Sequence, residues 1–169
     1  MANPLRGGLI VAALIFLFDQ LSKYWITGPI ALPDRTSIEL LPIFRLIFVP
    51  NHGVSMGFLT AGSPLERWLL VILTAAIAVG VFVWLWREKN RAEAFALGLI
   101  LGGALGNIVD RVRLGYVVDF LNLHFGAWSP FFVFNLADAA ISIGVALLVL
   151  RALLTRDSPA PTESINEKA

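Results

Sequence analysis

Four long apolar runs limit the folds that this chain can adopt. They cover residues 5–26, 68–86, 94 to about 109, and about 131–154. A helix that crosses a bilayer needs about 20 mostly apolar residues, so each run, together with its flanks, is long enough for one crossing. Only 15% of the residues are charged, against about 25% in a soluble domain, which excludes an ordinary soluble globule. The runs therefore predict an all-α membrane protein with four transmembrane helices.

The residue types that the chain lacks exclude several kinds of chemistry. With no cysteine, it cannot form disulfides, thiolate metal sites, iron–sulfur clusters or a cysteine nucleophile. Its two histidines are not part of an H-E-x-x-H motif, which excludes the zinc metalloproteases that use it. A net charge of +1 indicates no basic face for nucleic acid. We therefore expect no metal, no cofactor and no nucleic-acid partner.

Basic residues predict the direction of the four helices. The stretch 87–91 reads R-E-K-N-R and places three bases in one short turn between the second and third runs. Because Lys and Arg accumulate in short cytoplasmic loops, this turn and both termini are predicted to lie in the cytoplasm. Residues 1–155 would then form a single transmembrane domain, and the polar, proline-containing tail 156–169 is predicted to be a disordered cytoplasmic segment.

The same orientation leaves the long segment 28–64 on the extracytoplasmic side. Within it, apolar residues fall on one parity of an alternating pattern: Ile38, Leu40, Phe44, Leu46 and Phe48. Glu39 and Arg45 fall on the other parity. Alternation with period two is typical of strands, so short strands over 36–49 are predicted on the membrane surface. The second outer segment, about 113–130, is shorter and carries no strand prediction.

Polar and ionisable residues interrupt the apolar runs at one depth. An ionisable residue inside a span costs free energy and is a functional hypothesis by default. Those near the outer ends of the runs are Asp19, Lys23, Asn107, Asp110, Arg111, Asn135 and Asp138, and Asp119 follows in the second outer loop. Counted from residue 131, Asp138 would lie about 10 Å below the start of its helix. Helical spacing puts these residues on shared faces, so the polar stripes are predicted to meet near the outer leaflet.

Asp119 and Asp138 form the pair with the most informative chemistry. Two carboxylates that share a site of low dielectric cannot both ionise easily, so they share one proton. The ionised member can then take a proton from water while the protonated member polarises a carbonyl, as in aspartic proteases. Taken alone, Asp138 fits a packing carboxylate as well as a working one.

The other polar residues of the spans also have structural interpretations. Asp19 and Lys23 have the i, i+4 spacing of a helical ion pair, and a structural pair is favoured over a catalytic one. A structural role is likewise favoured for Asp110 and Arg111. Asn51, in the stretch P-N-H-G, is compatible either with turn chemistry or with a functional role.

Two further groups of residues are expected to take no direct part in the chemistry of the site. His52 and His124 are interpreted as an exposed loop residue and an interfacial residue. Gly98, Gly102 and Gly106 recur every four residues. Small residues at this spacing are typical of close packing between membrane helices, and this interpretation is favoured over a substrate groove.

Five stretches of the sequence match the motifs of one family. They read F-D-Q-L-S-K at 18–23, N-H-G-V-S-M-G-F at 51–58, G-G-A-L-G-N-I-V-D-R at 102–111, G-Y-V-V-D-F at 115–120 and F-N-L-A-D-A-A at 134–140. Any one of them is a modest signal, but all five occur in the family's order in a four-span chain of this size. Over about residues 8–155, the chain resembles the bacterial lipoprotein signal peptidases (signal peptidase II).

The resemblance implies an intramembrane aspartyl endopeptidase of the bacterial cytoplasmic (inner) membrane. Its substrates would be diacylglyceryl-modified prolipoproteins embedded in membrane lipid, which are cut just before the lipidated cysteine, and globomycin-type inhibitors would occupy the carboxylate pair. A small extracytoplasmic β-cradle is also implied. Asp119 and Asp138 match the catalytic residues. Positions that match the rest of the site are Asn51, Gly53, Asn107, Arg111, Asn135 and Ala137, with Asp19 and Lys23 in the first-span motif.

One stretch departs from the usual motif of the family. Many members continue N-x-G with A-A-F-S, whereas residues 54–57 here read V-S-M-G. Asn51 and Gly53 are kept, so we expect the loop to keep its role while its contacts with substrate differ.

A small proton-coupled transporter is the alternative function from another class. Such a protein would use Asp19 or Asp138 as its titrating carboxylate. It would also need polar residues along a path that crosses the whole membrane. The second run, 68–86, contains no charged residue, and the polar groups of the other runs stop at one depth.

Overall fold

The computed structural model describes residues 3–53, 63–126 and 128–155. The departure at 54–57 and the tail 156–169 lie outside the described residues. Within the described residues, four helices are long and apolar enough to cross a membrane, as predicted. They are α1 (Pro4–Thr27), α2 (Pro64–Arg87), α3 (Arg91–Leu114) and α4 (Leu136–Thr155).

Apolar side chains cover the outside of this bundle. Ile72, Val79 and Leu154, for example, are 65%, 62% and 70% exposed. A soluble monomer rarely exposes a large contiguous apolar surface, whereas lipid tails cover such a surface on a membrane protein. The chain is therefore a multi-pass membrane protein.

Capping residues explain where three of the helices begin. Asn3, Ser63 and Asn90 each accept a hydrogen bond from a main-chain N–H of the first turn, which satisfies donors that a helix leaves unpaired. α3 ends at Gly115, whose φ of 88° lies in the left-handed region that favours glycine after a helix.

Three strands form one antiparallel sheet among the described residues, in the order β1-β2-β3. β1 (Ile38–Leu41) and β2 (Phe44–Asn51) form the strands that the alternation predicts over 36–49. β3 (Val117–Leu123), which pairs with β2, has no such signal in the sequence. Its first four residues are all buried, and a strand buried on both faces lacks the polar–apolar alternation that reveals a half-exposed strand.

The fourth helix starts later than the sequence indicates. The apolar run begins at about residue 131, but α4 begins at Leu136. The residues before it run beside β3, where Phe134 exchanges main-chain hydrogen bonds with Leu121. Asp138 therefore lies in the first turn of α4, and the expected depth of about 10 Å below the helix start is wrong.

α3 is the central helix of the bundle. In the most apolar stretch of α3, 56% of the residues are buried, against 17% in the corresponding stretch of each of the other three helices. Glycines let α1 approach it closely: a Cβ on Gly98 would lie 2.4 Å from the main-chain oxygen of Gly8, and one on Gly102 would lie 2.5 Å from that of Ala12. The close-packing interpretation of these glycines is confirmed.

The sheet lies at the end of the bundle where α1 and α3 finish and α4 starts. Its apolar core includes Leu46 of β2 and Val118 of β3, and Ile26 near the end of α1 packs into the same cluster. β3 follows α3 almost directly, so its third residue, Asp119, lies close to the polar ends of the helices.

Candidate active site

Asn135, the residue before α4, contacts both aspartates of the predicted pair. Its Nδ2 donates to Oδ1 of Asp119 at 2.7 Å. Its Oδ1 accepts from the main-chain N–H of Asp138 at 2.9 Å, and its own N–H donates to Oδ2 of Asp138 at 3.2 Å. The last two bonds are the reciprocal pattern of a helix capping box. The interactions that start α4 therefore also bring Asp138 to Asp119.

Asn107 joins the site from α3. Its Nδ2 donates to Oδ1 of Asp138 at 2.8 Å. Its Oδ1 accepts from Nδ2 of Asn135 and from Nζ of Lys23, each at 3.2 Å. Asn107 thus connects the carboxylate pair to the ionisable residues of α1.

Asn51, the last residue of β2, contributes the third amide. Its Nδ2 donates to Oδ2 of Asp119 at 2.8 Å, while its Oδ1 accepts from the main-chain N–H of Gly53 at 2.9 Å. Gly53 has a φ of 102°, a conformation that favours glycine. The turn contact of Asn51 is therefore present, and it orients the amide nitrogen of this residue toward Asp119.

Lys23 lies between two buried carboxylates. Its Nζ is 2.8 Å from Oδ2 of Asp19 and 2.7 Å from Oδ2 of Asp110. The helical ion pair with Asp19 is as predicted. Asp110, however, pairs with Lys23 and not with its neighbour in sequence, Arg111. A buried ion pair is stable only when its remaining hydrogen-bonding groups are satisfied, and further donors supply this here.

Each of these two carboxylates also binds the main chain beside one member of the pair. Oδ1 of Asp19 accepts from the N–H of Ala137, next to Asp138, and Oδ2 of Asp110 accepts from the N–H of Val118, next to Asp119. The structure thus brings the first-span motif to the site, where Asp19 reaches the main chain beside the pair and Lys23 reaches the pair through Asn107.

Burial decides the electrostatics of Asp119, which lies in β3 outside the spanning helices. The residue is 1% exposed. Burial raises the pKa of its carboxyl to about 6; the hydrogen bond from Asn51 opposes this rise, and the nearby charge of Asp138 adds to it. Asp119 therefore keeps its proton at pH values where an ordinary aspartate has lost it.

Two clefts open beside the aspartates. One, of about 780 Å³, is lined by Asp119, Asn51, Arg111 and the loop before α4. The other, of about 440 Å³, extends from Asp138 along α4 and is mostly apolar. Phe132, which is 96% exposed, borders both clefts. A substrate can therefore approach the two carboxylates from different sides.

Arg111 faces the larger cleft from the last turn of α3. Its Nη1 donates to the main-chain oxygen of Asn107 at 3.5 Å, while its buried Nε has no hydrogen-bond partner among the described residues. The charges of Asp138, Asp119 and Asp110 act on its guanidinium. Arg111 is thus a cation beside the pair, whereas the ion pair of Asp110 is with Lys23.

The remaining polar residues separate into two groups. The ring of His52 lies 5.5 Å from that of Tyr116, and His124 is 3.2 Å from Oε2 of Glu39, so neither histidine contacts the pair. Gln20 also belongs to the buried polar cluster, although its residue type alone gives no signal in the sequence. Its Nε2 donates to Asp110 at 3.0 Å, and its position directly after Asp19 is the signal that would have found it.

This geometry defines a class of protein: a four-helix membrane protein whose site is a carboxylate pair held by three amides at one end of the bundle. The family model described as signal peptidase (SPase) II matches residues 11–154. The chain belongs to the signal peptidase II family and is a membrane-embedded protease. Membership of a protease family favours the peptidase interpretation over the proton-coupled transporter.

Relatives of known family are similar in sequence to this protein over nearly its whole length. The lipoprotein signal peptidase of Rhizorhabdus wittichii is 59% identical over 164 residues, which are 97% of this chain and 94% of the relative. Those of Sphingopyxis alaskensis and Shewanella halifaxensis are 51% and 38% identical, over 89% and 93% of this chain and 87% and 92% of theirs.

Solved structures show the same fold. A bacterial membrane enzyme determined by the in meso method at 2.3 Å has a TM-score of 0.76 and 29% sequence identity, with 93% of each chain covered. A second such enzyme, at 1.9 Å, has a TM-score of 0.74 and 30% identity, with 89% of this chain and 94% of that chain covered.

Proposed function

We propose that this protein is an aspartyl endopeptidase that removes signal peptides from diacylglyceryl-modified prolipoproteins by cutting just before the lipidated cysteine. The observation that carries the proposal is the position of Asn135, which binds Asp119 and Asp138 at once. Amide donors on both carboxylates keep them together, although two such groups in a dry site would otherwise repel each other.

The chemistry that this pair supports is general acid–base hydrolysis of an amide. The ionised carboxylate takes a proton from a water molecule, whose oxygen attacks the carbonyl carbon of the scissile bond. The protonated carboxyl gives its proton to the carbonyl oxygen. When the tetrahedral species collapses and the C–N bond breaks, the carboxyl that took the proton from water gives it to the leaving nitrogen. The other carboxylate takes back a proton from a hydroxyl of the tetrahedral species, so that a carboxylic acid and an amine are released and the pair again holds one proton.

The other matching positions support the pair. Asn51, Asn107 and Asn135 donate to its oxygens, and Gly53 fixes the orientation of the first of these amides. Arg111 supplies positive charge on the side of the larger cleft. Ala137 is 0% exposed, and its main-chain N–H donates to the carboxylate of Asp19, which is paired with Lys23.

The proposed substrate fits the position of the pair. Asp138 lies in the first turn of a spanning helix, and the mostly apolar cleft beside it continues along α4. A lipidated cysteine next to the cut bond would direct its acyl chains into this cleft and the surrounding lipid, while the larger cleft admits water. Globomycin-type inhibitors would bind across the same pair.

The proposed location is the bacterial cytoplasmic (inner) membrane, with both termini and the turn between α2 and α3 inside. The bases of that turn, Arg87, Lys89 and Arg91, lie at the end of the bundle opposite the sheet. Under the positive-inside rule, the carboxylate pair then lies near the outer leaflet. Residues 1–155 are proposed to act as one domain.

Cleavage of a purified lipidated precursor in detergent tests this function. Remote contacts of a substrate can be used to lower the barrier at the reacting bond, so the same precursor without diacylglycerol should be cut far more slowly. Release of the peptide directly before the lipidated cysteine, identified by mass spectrometry, is the expected result. Equal rates for both precursors would contradict the proposed substrate class.

A further inference from the structure

The orientations of the three amides in the site are each determined by a group other than the carboxylate pair. The N–H of Gly53 occupies Oδ1 of Asn51, and the N–H of Asp138 occupies Oδ1 of Asn135. An amide presents one acceptor and one donor end. Once an external donor occupies the oxygen, the NH₂ group must point the other way, in both cases toward Asp119.

Asn107 has the same dependence on Lys23. Nζ of Lys23 is a donor only, and it lies 3.2 Å from Oδ1 of Asn107. Nδ2 of Asn135 donates to the same oxygen at 3.2 Å, and the amide nitrogen of Asn107 then points to Oδ1 of Asp138, at 2.8 Å. Rotation of the amide by half a turn would place its oxygen against that carboxylate and its NH₂ against an ammonium, so the charge of Lys23 adds to the amide of Asn135 in favouring the observed orientation.

We propose that Lys23 is a positioning residue of the catalytic pair, and that it acts through Asn107 to keep Asp138 as the ionised member and general base, which leaves Asp119 as the member that carries the proton. This assignment rests on the proposed aspartyl mechanism. It goes beyond a structural ion pair, because it gives the lysine an effect on which carboxylate ionises.

Two further observations support the same assignment. Asp138 is the third residue of α4, where the partial positive charge of a helix N-terminus favours a carboxylate. It is also only partly buried, whereas Asp119 is 1% exposed, and burial disfavours the charged form. Each aspartate accepts two amide hydrogen bonds, so the number of donors does not separate them.

The charged groups around these residues come from three elements. Asp119 on β3 and Arg111 on α3 face the site of Asp138. Asp19 on α1 and Asp110 on α3 face Lys23, and the charge of Lys23 also acts on Asp119. Because both neighbours of the lysine are carboxylates, removal of Lys23 alone would leave two buried charges without their cation.

The experiment compares pH profiles of kcat/KM for the full-length enzyme in detergent. Lys23→Met, combined with Asp19→Asn and Asp110→Asn to avoid unpaired buried charge, removes the charged donor to Oδ1 of Asn107 and keeps the donor from Asn135. We expect the acidic limb of the profile to move to higher pH, because the amide of Asn107 is then less strongly held with its NH₂ group toward the carboxylate. Lys23→Arg should keep the limb near its parental position, and Lys89→Met, at an exposed lysine, is the matched control.

The pH profile distinguishes a positioning role of Lys23 from a purely structural one. If the combined variant is folded and its acidic limb coincides with that of the parent, while the rate alone is lower, Lys23 has only a structural role and the proposal is overturned. A parent enzyme that does not cleave the lipidated precursor at all would contradict the proposed function instead.

A second measurement tests the assignment without activity. Infrared difference spectra between pH 7 and pH 5 report the C=O stretch of protonated carboxyl groups. We expect a band that is lost in Asp119→Asn and kept in Asp138→Asn. The reverse pattern would overturn the assignment, whatever the enzyme does to its substrate.

Discussion

Oδ1 of Asp19, on α1, accepts a hydrogen bond of 3.1 Å from the main-chain N–H of Ala137, on α4. This contact crosses the bundle and holds the residue next to Asp138. The contact of Asp110 with the N–H of Val118 does the same beside Asp119. The buried ion cluster therefore positions the two main-chain segments that carry the carboxylate pair, and this explains a structural role for ionisable residues inside the spans.

Asp19→Asn should accordingly lower stability more than it changes the chemical step. The variant keeps an acceptor for Ala137 but leaves Lys23 with one carboxylate partner, and the loss of a hydrogen bond between charged groups costs about 1.5–3 kcal/mol. We expect less folded protein from the membrane and a lower melting temperature. The control is Asp34→Asn, at an exposed acid outside the cluster, which should melt like the parent.

Asp119→Asn and Asp138→Asn should instead abolish most of the activity while the protein stays folded. Each keeps the shape of the side chain but removes a group that transfers a proton, and one such group is typically worth about 10²–10⁴-fold in rate. Because the pair acts as a unit, the double variant should be little worse than either single one. Both proteins should be recovered folded. Full activity of Asp138→Asn in the purified cleavage assay would end the aspartyl mechanism.

The membrane class, the four spans and the polar residues that the structure brings together at the candidate site could be predicted because each leaves a local signal. Apolar length reveals a span, and an ionisable residue inside it is conspicuous. β3 and the start of α4 could not be predicted in this way. Residues 131–134 are apolar whether they begin a helix or pair with β3, and only the contact between Phe134 and Leu121 decides between the two.

The raised pKa of Asp119 predicts a pH dependence of stability. Its folded value of about 6 lies above the ordinary 3.8, so the folded state binds more protons than the unfolded state between these values, and stability falls as pH rises through this window. Asp119→Asn lacks this loss. Its melting temperature should match that of the parent near pH 4 and be higher at pH 7, where its free energy of unfolding exceeds that of the parent by up to about 3 kcal/mol. A difference in melting temperature that does not change between pH 4 and pH 7 would contradict the raised pKa of Asp119.

The orientation in the membrane can be tested with single cysteines, because the chain has none of its own. Thr36→Cys, at an exposed position beside β1, should react with an impermeant thiol reagent added from outside. Ala92→Cys, exposed at the start of α3, should react only after the membrane is opened. The reverse labelling pattern would put the carboxylate pair on the cytoplasmic side.

Close packing of α1 on α3 predicts different effects for two glycines in spanning helices. In Gly98→Ala the new Cβ would lie 2.4 Å from the main-chain oxygen of Gly8. Backbone cannot yield as a flexible side chain does, so the helices must separate, and overpacking of this kind costs about 1–3 kcal/mol. Gly80→Ala is the matched control, because nothing lies within 4 Å of its new Cβ and alanine is the better helix former. Thermal unfolding in detergent should therefore show a lower melting temperature for Gly98→Ala and an unchanged or higher one for Gly80→Ala. Equal melting temperatures would mean that the α1–α3 contact is looser than these distances require.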